Sequence, residues 1–100
     1  MNEKKRIARL RKRVERLRGK GGIKPTELES LAMACGRVRQ KRGSEPTWIN
    51  LNLKQLRPLS IPHHKELNRF TAQGILDQLE IDLDVWEGFI SQSSKGREDE

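Results

Sequence analysis

The segment Gly36–Thr71 constrains the fold most strongly, because it contains three short runs of β-forming residues in succession. The runs are Arg37–Lys41, Thr47–Leu53 and Leu56–Ile61. The connections between them are rich in turn-forming residues, and Lys54-Gln55 fits a tight turn between the second and third runs. Three strands with short connections favour one small antiparallel sheet. Helices elsewhere in the chain must then cover one of its faces.

Alternation within these runs predicts which side chains share a face of the sheet. The first run places three cations on one face: Arg37, Arg39 and Lys41. The second run has one aliphatic face, formed by Ile49, Leu51 and Leu53. We expect this aliphatic face to meet the core, which places Trp48 on the open face. There Trp48 would either stack on a base or pack against a neighbouring loop or strand.

Residues 25–35 have the apolar pattern of a helix with one buried face. The apolar positions are Leu28, Leu31, Ala32 and Cys35. Thr26 and Glu29 fit a capping box at the start of this helix, and Gly36 fits the position that ends it. Cys35 is most simply a small core residue.

A second helical pattern follows Phe70, which we expect to pack on Ile75 as a hydrophobic staple. The core positions of this helix are Ile75, Leu76 and Leu79. A third helix is predicted over residues 82–90, with Asp82 or Asp84 as its cap. Its apolar residues are Val85, Trp86, Phe89 and Ile90, and Trp86 fits core packing.

Residues 3–18 are mostly helix formers with an apolar stripe at spacings of three and four. The stripe consists of Ile7, Leu10, Val14 and Leu17. It is too short to establish a coiled coil. Three interpretations stay open: a solvated basic arm, a basic helix lying on nucleic acid, or a dimerising helix. The glycines that follow predict a flexible link; they are Gly19, Gly21 and Gly22.

The net charge of +7 is distributed unevenly over the 100 residues. Residues 1–20 hold ten Lys/Arg and two Glu, a local charge of +8. Residues 37–69 carry +6 and residues 70–100 carry −6. A basic arm and a basic centre beside an acidic end indicate a polyanion partner, and nucleic acid is the polyanion that we expect.

A chain of 100 residues corresponds to one domain. We divide it into a basic arm with a Gly-rich link (1–22), a folded domain (23–91) and a disordered polar tail (92–100). The predicted class is α+β, in the order α-β-β-β-α with a further C-terminal helix. Its small antiparallel three-stranded sheet would be covered on one face by helices. The double-stranded-RNA-binding domain has the same order of elements.

Several sites and locations are not predicted for this chain. Cys35 is the only cysteine, so an internal disulfide is excluded and a reducing cytoplasm is expected. No apolar run reaches the length needed to span a membrane. His63 and His64 are adjacent and would point apart on an extended segment, without a third ligand nearby. We therefore expect no metal and no cofactor.

His63 and His64 nevertheless suit proton transfer, because the pKa of imidazole lies near neutrality. Cleavage of RNA through its own 2′-OH needs a general base, a general acid and cations, but no metal. Cations could come from Lys41, Arg42 and Lys65. In the alternative interpretation, one histidine orders the turn before the next helix and the other is exposed.

A longer pattern extends over about residues 25–90. Its elements are Gly43-Ser44, Trp48 on the following strand, the run LSIPHHKEL at 59–67, Phe70-Thr71, and ILDQL at 75–79. In order and spacing these elements resemble the HicA family of small toxins. That family has a GSH turn, an aromatic strand, a V-P-x-H segment, and then K-E-L, G-T-L and I-L-x-Q.

The resemblance implies a fold like that of the double-stranded-RNA-binding domain, metal-independent cleavage of mRNA, and neutralisation by a HicB-like antitoxin. The chain departs from the pattern at the position of the catalytic histidine, where Glu45 follows Gly43-Ser44. A solvated glutamate is a weak base at neutral pH and repels phosphate. Phe70 also replaces an expected glycine. Catalysis is therefore unassigned, with Glu45, His63 and His64 as candidates.

The expected RNA contacts lie along the central segment. Arg37, Arg39, Lys41, Arg42 and Arg57 would contact phosphates, Trp48 would stack, His64 and Lys65 would contact backbone or sugar, and Ser44 would contribute from the turn. Two other functions stay open. One is a non-catalytic nucleic-acid-binding module, and the other is a protein-interaction subunit that docks through the face of Trp48.

Overall fold

The computed structural model of the chain describes residues 3–40, 46–62 and 67–98, with side chains as far as residue 91. Three helices lie in these ranges: α1 (Glu3–Arg18), α2 (Pro25–Ala34) and α3 (Arg69–Glu98). Three strands lie between α2 and α3: β1 (Arg37–Gln40), β2 (Thr47–Asn50) and β3 (Leu59–Ser60). The molecule is a small α+β protein, as predicted.

The three strands form one antiparallel sheet in the order β1-β2-β3. Their number and antiparallel direction confirm the prediction, although β2 and β3 are shorter than their β-forming runs. Asn50 ends β2, because its side-chain Oδ1 accepts hydrogen bonds from the backbone N–H of Asn52 (2.9 Å) and Leu53 (2.8 Å). The predicted turn at Lys54-Gln55 follows, closed by a 3.1 Å bond from Leu56 N to Leu53 O.

The predicted orientation of β2 is wrong, because Trp48 is 3% exposed and faces the core together with its cross-strand partner Leu59. Ile49 is only half-buried and Leu51 is 61% exposed. Burying an indole removes more apolar area from water than burying an isoleucine. Leu53 does reach the core, because the turn at Asn50 breaks the alternation before it.

Helix α1 is not a solvated arm, because Ile7, Leu10 and Val14 are buried in a core shared with α2, α3 and the sheet. The apolar stripe was visible in the sequence, whereas its packing against α3 was not. Trp86 of α3 is half-buried against this core, and its Nε1 donates a 3.0 Å hydrogen bond to Glu3. Helix α1 is therefore part of the folded domain.

Helix α3 is continuous where two helices and a tail were predicted. Asp82 and Asp84, the two predicted caps, lie inside the helix, where Asp82 is 1% exposed. The backbone stays helical through Glu98. The actual cap is Asn68, whose Oδ1 accepts from the backbone N–H of Thr71 at 2.8 Å. Phe70 is 89% exposed, so the predicted staple is wrong. The core positions of this helix, Ile75, Leu76 and Leu79, are confirmed.

Helix α2 buries the predicted residues, Leu28, Leu31, Ala32 and Cys35. It begins at Pro25, as predicted. Its cap differs, because Glu27, not Glu29, accepts from the backbone N–H of Lys24 at 3.4 Å. Gly36 ends the helix at a φ of 100°, as predicted. In the described part of the chain, no helix is long and apolar enough to cross a membrane.

Candidate nucleic-acid interface

Arg37 is held beneath the sheet and is not available to RNA. Its side chain is fully buried and pairs with both oxygens of Asp82 through Nε and Nη2. Nη1 donates to the carbonyl oxygens of Trp48 (2.7 Å) and Arg57 (3.0 Å). Gln78 completes the network by donating to Asp82 at 3.2 Å. The predicted phosphate contact by Arg37 therefore conflicts with its burial, and the residue ties β1 to α3.

Trp48 likewise leaves no ring face for a base to stack on, since it is 3% exposed. Its indole N–H has no hydrogen-bond partner among the described residues. The same burial removes the exposed tryptophan face on which a protein-docking function was based. Packing against the interior, the other interpretation of this residue, is what the structure shows.

One end of the sheet brings together two segments that are distant in the sequence. Gln40, at the end of β1, pairs with Thr47, and Thr47 pairs with Ser60 at the end of β3. The chain therefore leaves β1 towards segment 41–45 and β3 towards segment 63–66 at the same end of the sheet, on either side of β2. Most predicted site residues lie in these two segments, outside the described residues: Lys41, Arg42, Ser44, Glu45, His63, His64 and Lys65.

Two of the predicted RNA contacts are described and exposed. Arg39 lies on the edge strand β1, one residue before this end of the sheet, and its side chain reaches solvent. Arg57 is also exposed, but it precedes β3 and lies towards the opposite end, where its carbonyl meets Arg37. The described cations of the centre therefore do not form one cluster.

A second basic surface runs along α1, and it was not among the predicted site residues. Four exposed cations follow one another at spacings of four, three and four residues: Lys5, Arg9, Lys12 and Arg16. At 1.5 Å per residue they form a line of roughly 16 Å on the helix side opposite the buried stripe. We call these four residues the α1 stripe. Among the described residues, the side chains of these four make no ion pair or hydrogen bond.

Unlike the α1 stripe, the cations on the edge of α1 that faces α3 are paired with carboxylates. Arg11 bonds Asp84 (2.8 Å) and Glu87 (2.9 Å), and Arg18 bonds Asp77 (2.8 Å). Desolvation opposes the charge of each guanidinium, but the hydrogen bonds and negative charges of these carboxylates outweigh it and raise the pKa of both arginines. Four acids of α3 therefore pair with α1 at the seam between the two helices: Asp77, Glu80, Asp84 and Glu87.

A groove of about 610 Å³ with both polar and apolar walls lies where α1, α2 and the Asn50 turn meet α3. Its walls include Met33 and Phe89, both 57% exposed. Cys35 borders the groove but is buried, and burial raises the pKa of its thiol to about 12. The thiol is therefore protonated at neutral pH, in agreement with its predicted packing role.

Compared with known proteins, the chain matches no family model, no curated protein and no solved structure. The resemblance to HicA toxins therefore stays a prediction based on the sequence elements between residues 43 and 79.

Proposed function

We propose that the chain is an RNA-binding protein of the HicA type that acts as the toxin component of a toxin–antitoxin pair. The observation that carries this proposal is the register of the sheet. It places Gln40, which precedes segment 41–45, and Ser60, which lies shortly before segment 63–66, at the same end. The exposed Arg39 lies beside that end. A fold of the double-stranded-RNA-binding type would use this arrangement to present loop residues to RNA.

Charge supports a polyanionic ligand. The chain carries +7 overall, while α3 acids neutralise Arg11 and Arg18 at the seam. The remaining basic residues are therefore presented largely on the outside. Such a distribution attracts nucleic acid at long range and makes binding sensitive to salt.

The proposed reaction is metal-independent cleavage of mRNA. The 2′-OH attacks the adjacent phosphorus, a base takes its proton, and an acid protonates the departing 5′ oxygen, which leaves a 2′,3′-cyclic phosphate. His63, His64 and Glu45 are the candidates for the two proton transfers. Arg39, Lys41, Arg42 and Lys65 would stabilise the charge of the phosphorane.

A second candidate function is non-catalytic binding of RNA on the same fold. Glu45 favours it, because the HicA pattern places a histidine at that position. Ionised glutamate supplies no proton at neutral pH. In this case the protein would bind RNA through the same end of the sheet and leave it intact.

Induced expression followed by measurement of growth and mRNA levels tests the toxin function. We expect growth arrest and loss of mRNA, both abolished by His64→Ala or Glu45→Ala and unchanged by Lys54→Gln, an exposed cation away from the proposed site. Purified protein should also cleave single-stranded RNA in the presence of EDTA. Binding without cleavage would instead establish the second function, and no binding at low salt would exclude both.

The proposed partner is a HicB-like antitoxin, and the proposed location is the cytoplasm. An adjacent reading frame for such a protein, followed by co-purification of the two chains, would test the pairing. Failure of the two proteins to associate when they are co-expressed would contradict it.

A further inference from the structure

The two sides of α1 differ in their surroundings, because one side is buried and the other is exposed. The inner side is buried against α3 through Ile7, Leu10 and Val14. The outer side carries the α1 stripe, and its exposed neighbours on the helix surface include Ala8 and Glu15. No carboxylate lies within ion-pair distance of the stripe in the described part of the chain. The four cations therefore present their charge to solvent or to a partner.

An anionic membrane does not fit this helix. A helix that lies on a membrane inserts an apolar face between the lipids and keeps its basic face at the headgroups. The apolar face of α1 is already occupied by the core, since Ile7 and Val14 are 0% exposed. Only the charged side is free, and it has no apolar residue larger than Ala8.

A single-stranded nucleic acid fits less well than a duplex. Surfaces that bind single strands combine cations with aromatic rings on which the bases stack, and the outer side of α1 has no aromatic residue. A duplex, by contrast, holds its phosphates in rigid rows, so that a line of cations of roughly 16 Å can face several phosphates at once.

We infer that the α1 stripe is a docking surface for the phosphate backbone of double-helical RNA, separate from the RNA site proposed at the end of the sheet. The choice of RNA over DNA depends on the proposed function. The stripe would hold structured RNA without reading its sequence, because Lys5, Arg9, Lys12 and Arg16 offer only positive donors to phosphates. It would thereby raise the local concentration of RNA near the second site.

The test compares two variants with the same change in charge. Arg9→Gln/Lys12→Gln removes the centre of the stripe, and Lys54→Gln/Arg69→Gln removes two exposed cations elsewhere. Glutamine preserves helix propensity, so both should keep the circular dichroism spectrum and melting temperature of the wild type. Binding is measured by fluorescence anisotropy with an RNA duplex of unrelated sequence, over a range of salt concentrations.

We expect the stripe variant to bind the duplex on the order of 50-fold more weakly at about 0.1 M salt, with a log–log salt slope smaller by roughly 2. The control variant should stay within about threefold of the wild type, a smaller change because it loses long-range attraction but no phosphate contact. Equal losses in the two variants would overturn the inference, as would unchanged binding by the stripe variant. Equal affinity for duplex DNA, or binding to phosphatidylserine vesicles in place of RNA, would also overturn it.

The outcome is separable from the proposed function. A stripe variant that loses duplex binding but still cleaves single-stranded RNA supports both proposals. Cleavage by a stripe variant whose duplex binding is unchanged supports the function alone. Loss of duplex binding in a protein that never cleaves RNA supports the stripe and contradicts the nuclease.

Discussion

The ion pair beneath the sheet and the ion pairs along the seam between α1 and α3 differ in burial. Beneath the sheet, the side chains of Arg37 and Asp82 are 0% and 1% exposed. Along the seam between α1 and α3, the side chains of Arg11 and Asp84 are 33% and 62% exposed. The chemistry is the same, but water solvates the second pair and not the first. Burial therefore decides whether the loss of one partner of an ion pair destabilises the fold strongly or only slightly.

The buried pair also has more partners. Arg37 reaches two backbone carbonyls of the sheet as well as Asp82, so one side chain joins β1, β2, the residue Arg57 and α3. The seam pairs join only two helices whose apolar residues are already in contact. We therefore expect the buried pair to contribute more to the free energy of unfolding than the seam pairs do.

The largest effect is expected for Arg37→Met. The substitution leaves the buried carboxylate of Asp82 without its cation and two carbonyls without a donor, at a cost of about 3–5 kcal/mol in the free energy of unfolding. Chemical denaturation followed by circular dichroism measures it. The double variant Arg37→Met/Asp82→Leu should recover part of the loss, since it removes the stranded charge. A loss below about 1 kcal/mol in the free energy of unfolding of Arg37→Met would contradict the expected difference between the buried pair and the seam pairs.

A somewhat smaller effect is expected for Ile7→Ala, which tests what holds α1 in place. Ile7 is 0% exposed, and truncating a buried isoleucine costs about 2–4 kcal/mol through lost burial and a residual cavity. Ala8→Ser, at an exposed neighbouring position, is the matched control and should change stability by less than about 0.5 kcal/mol. An Ile7→Ala variant as stable as the wild type would mean that α1 is not part of the core.

The smallest effect is expected for Arg11→Gln at the seam. Removing a solvated ion pair costs less than about 1 kcal/mol, and the cost should shrink further at high salt because exposed charges are screened. Denaturation at low and at high salt concentration measures both quantities. A loss as large as that of Arg37→Met, insensitive to salt, would show that the seam depends on charge instead of on Ile7 and its apolar neighbours.

The predicted RNA contacts also divide into buried and exposed residues. Of the predicted RNA contacts that the structure describes, Arg37 and Trp48 are buried while Arg39 and Arg57 are exposed. Alternation correctly grouped Arg37 with Arg39, but only the edge position of β1 frees Arg39 for solvent. The α1 stripe was within reach of sequence reasoning, because its spacing is periodic. Which cations of α1 remain free became clear only when α3 supplied the acids for Arg11 and Arg18.

The sequence by itself determined the local features: three antiparallel strands, the buried face of α2, the core positions of α3 and the glycine that ends α2. These follow from periodicity and backbone preference, which act between near neighbours. Tertiary structure alone decided that Trp48 faces inward, that Arg37 meets Asp82 inside an unbroken α3, and that α1 joins the core. Period-two alternation shows which residues share a face but not which face the helices cover, and a partner 45 residues away leaves no local signal.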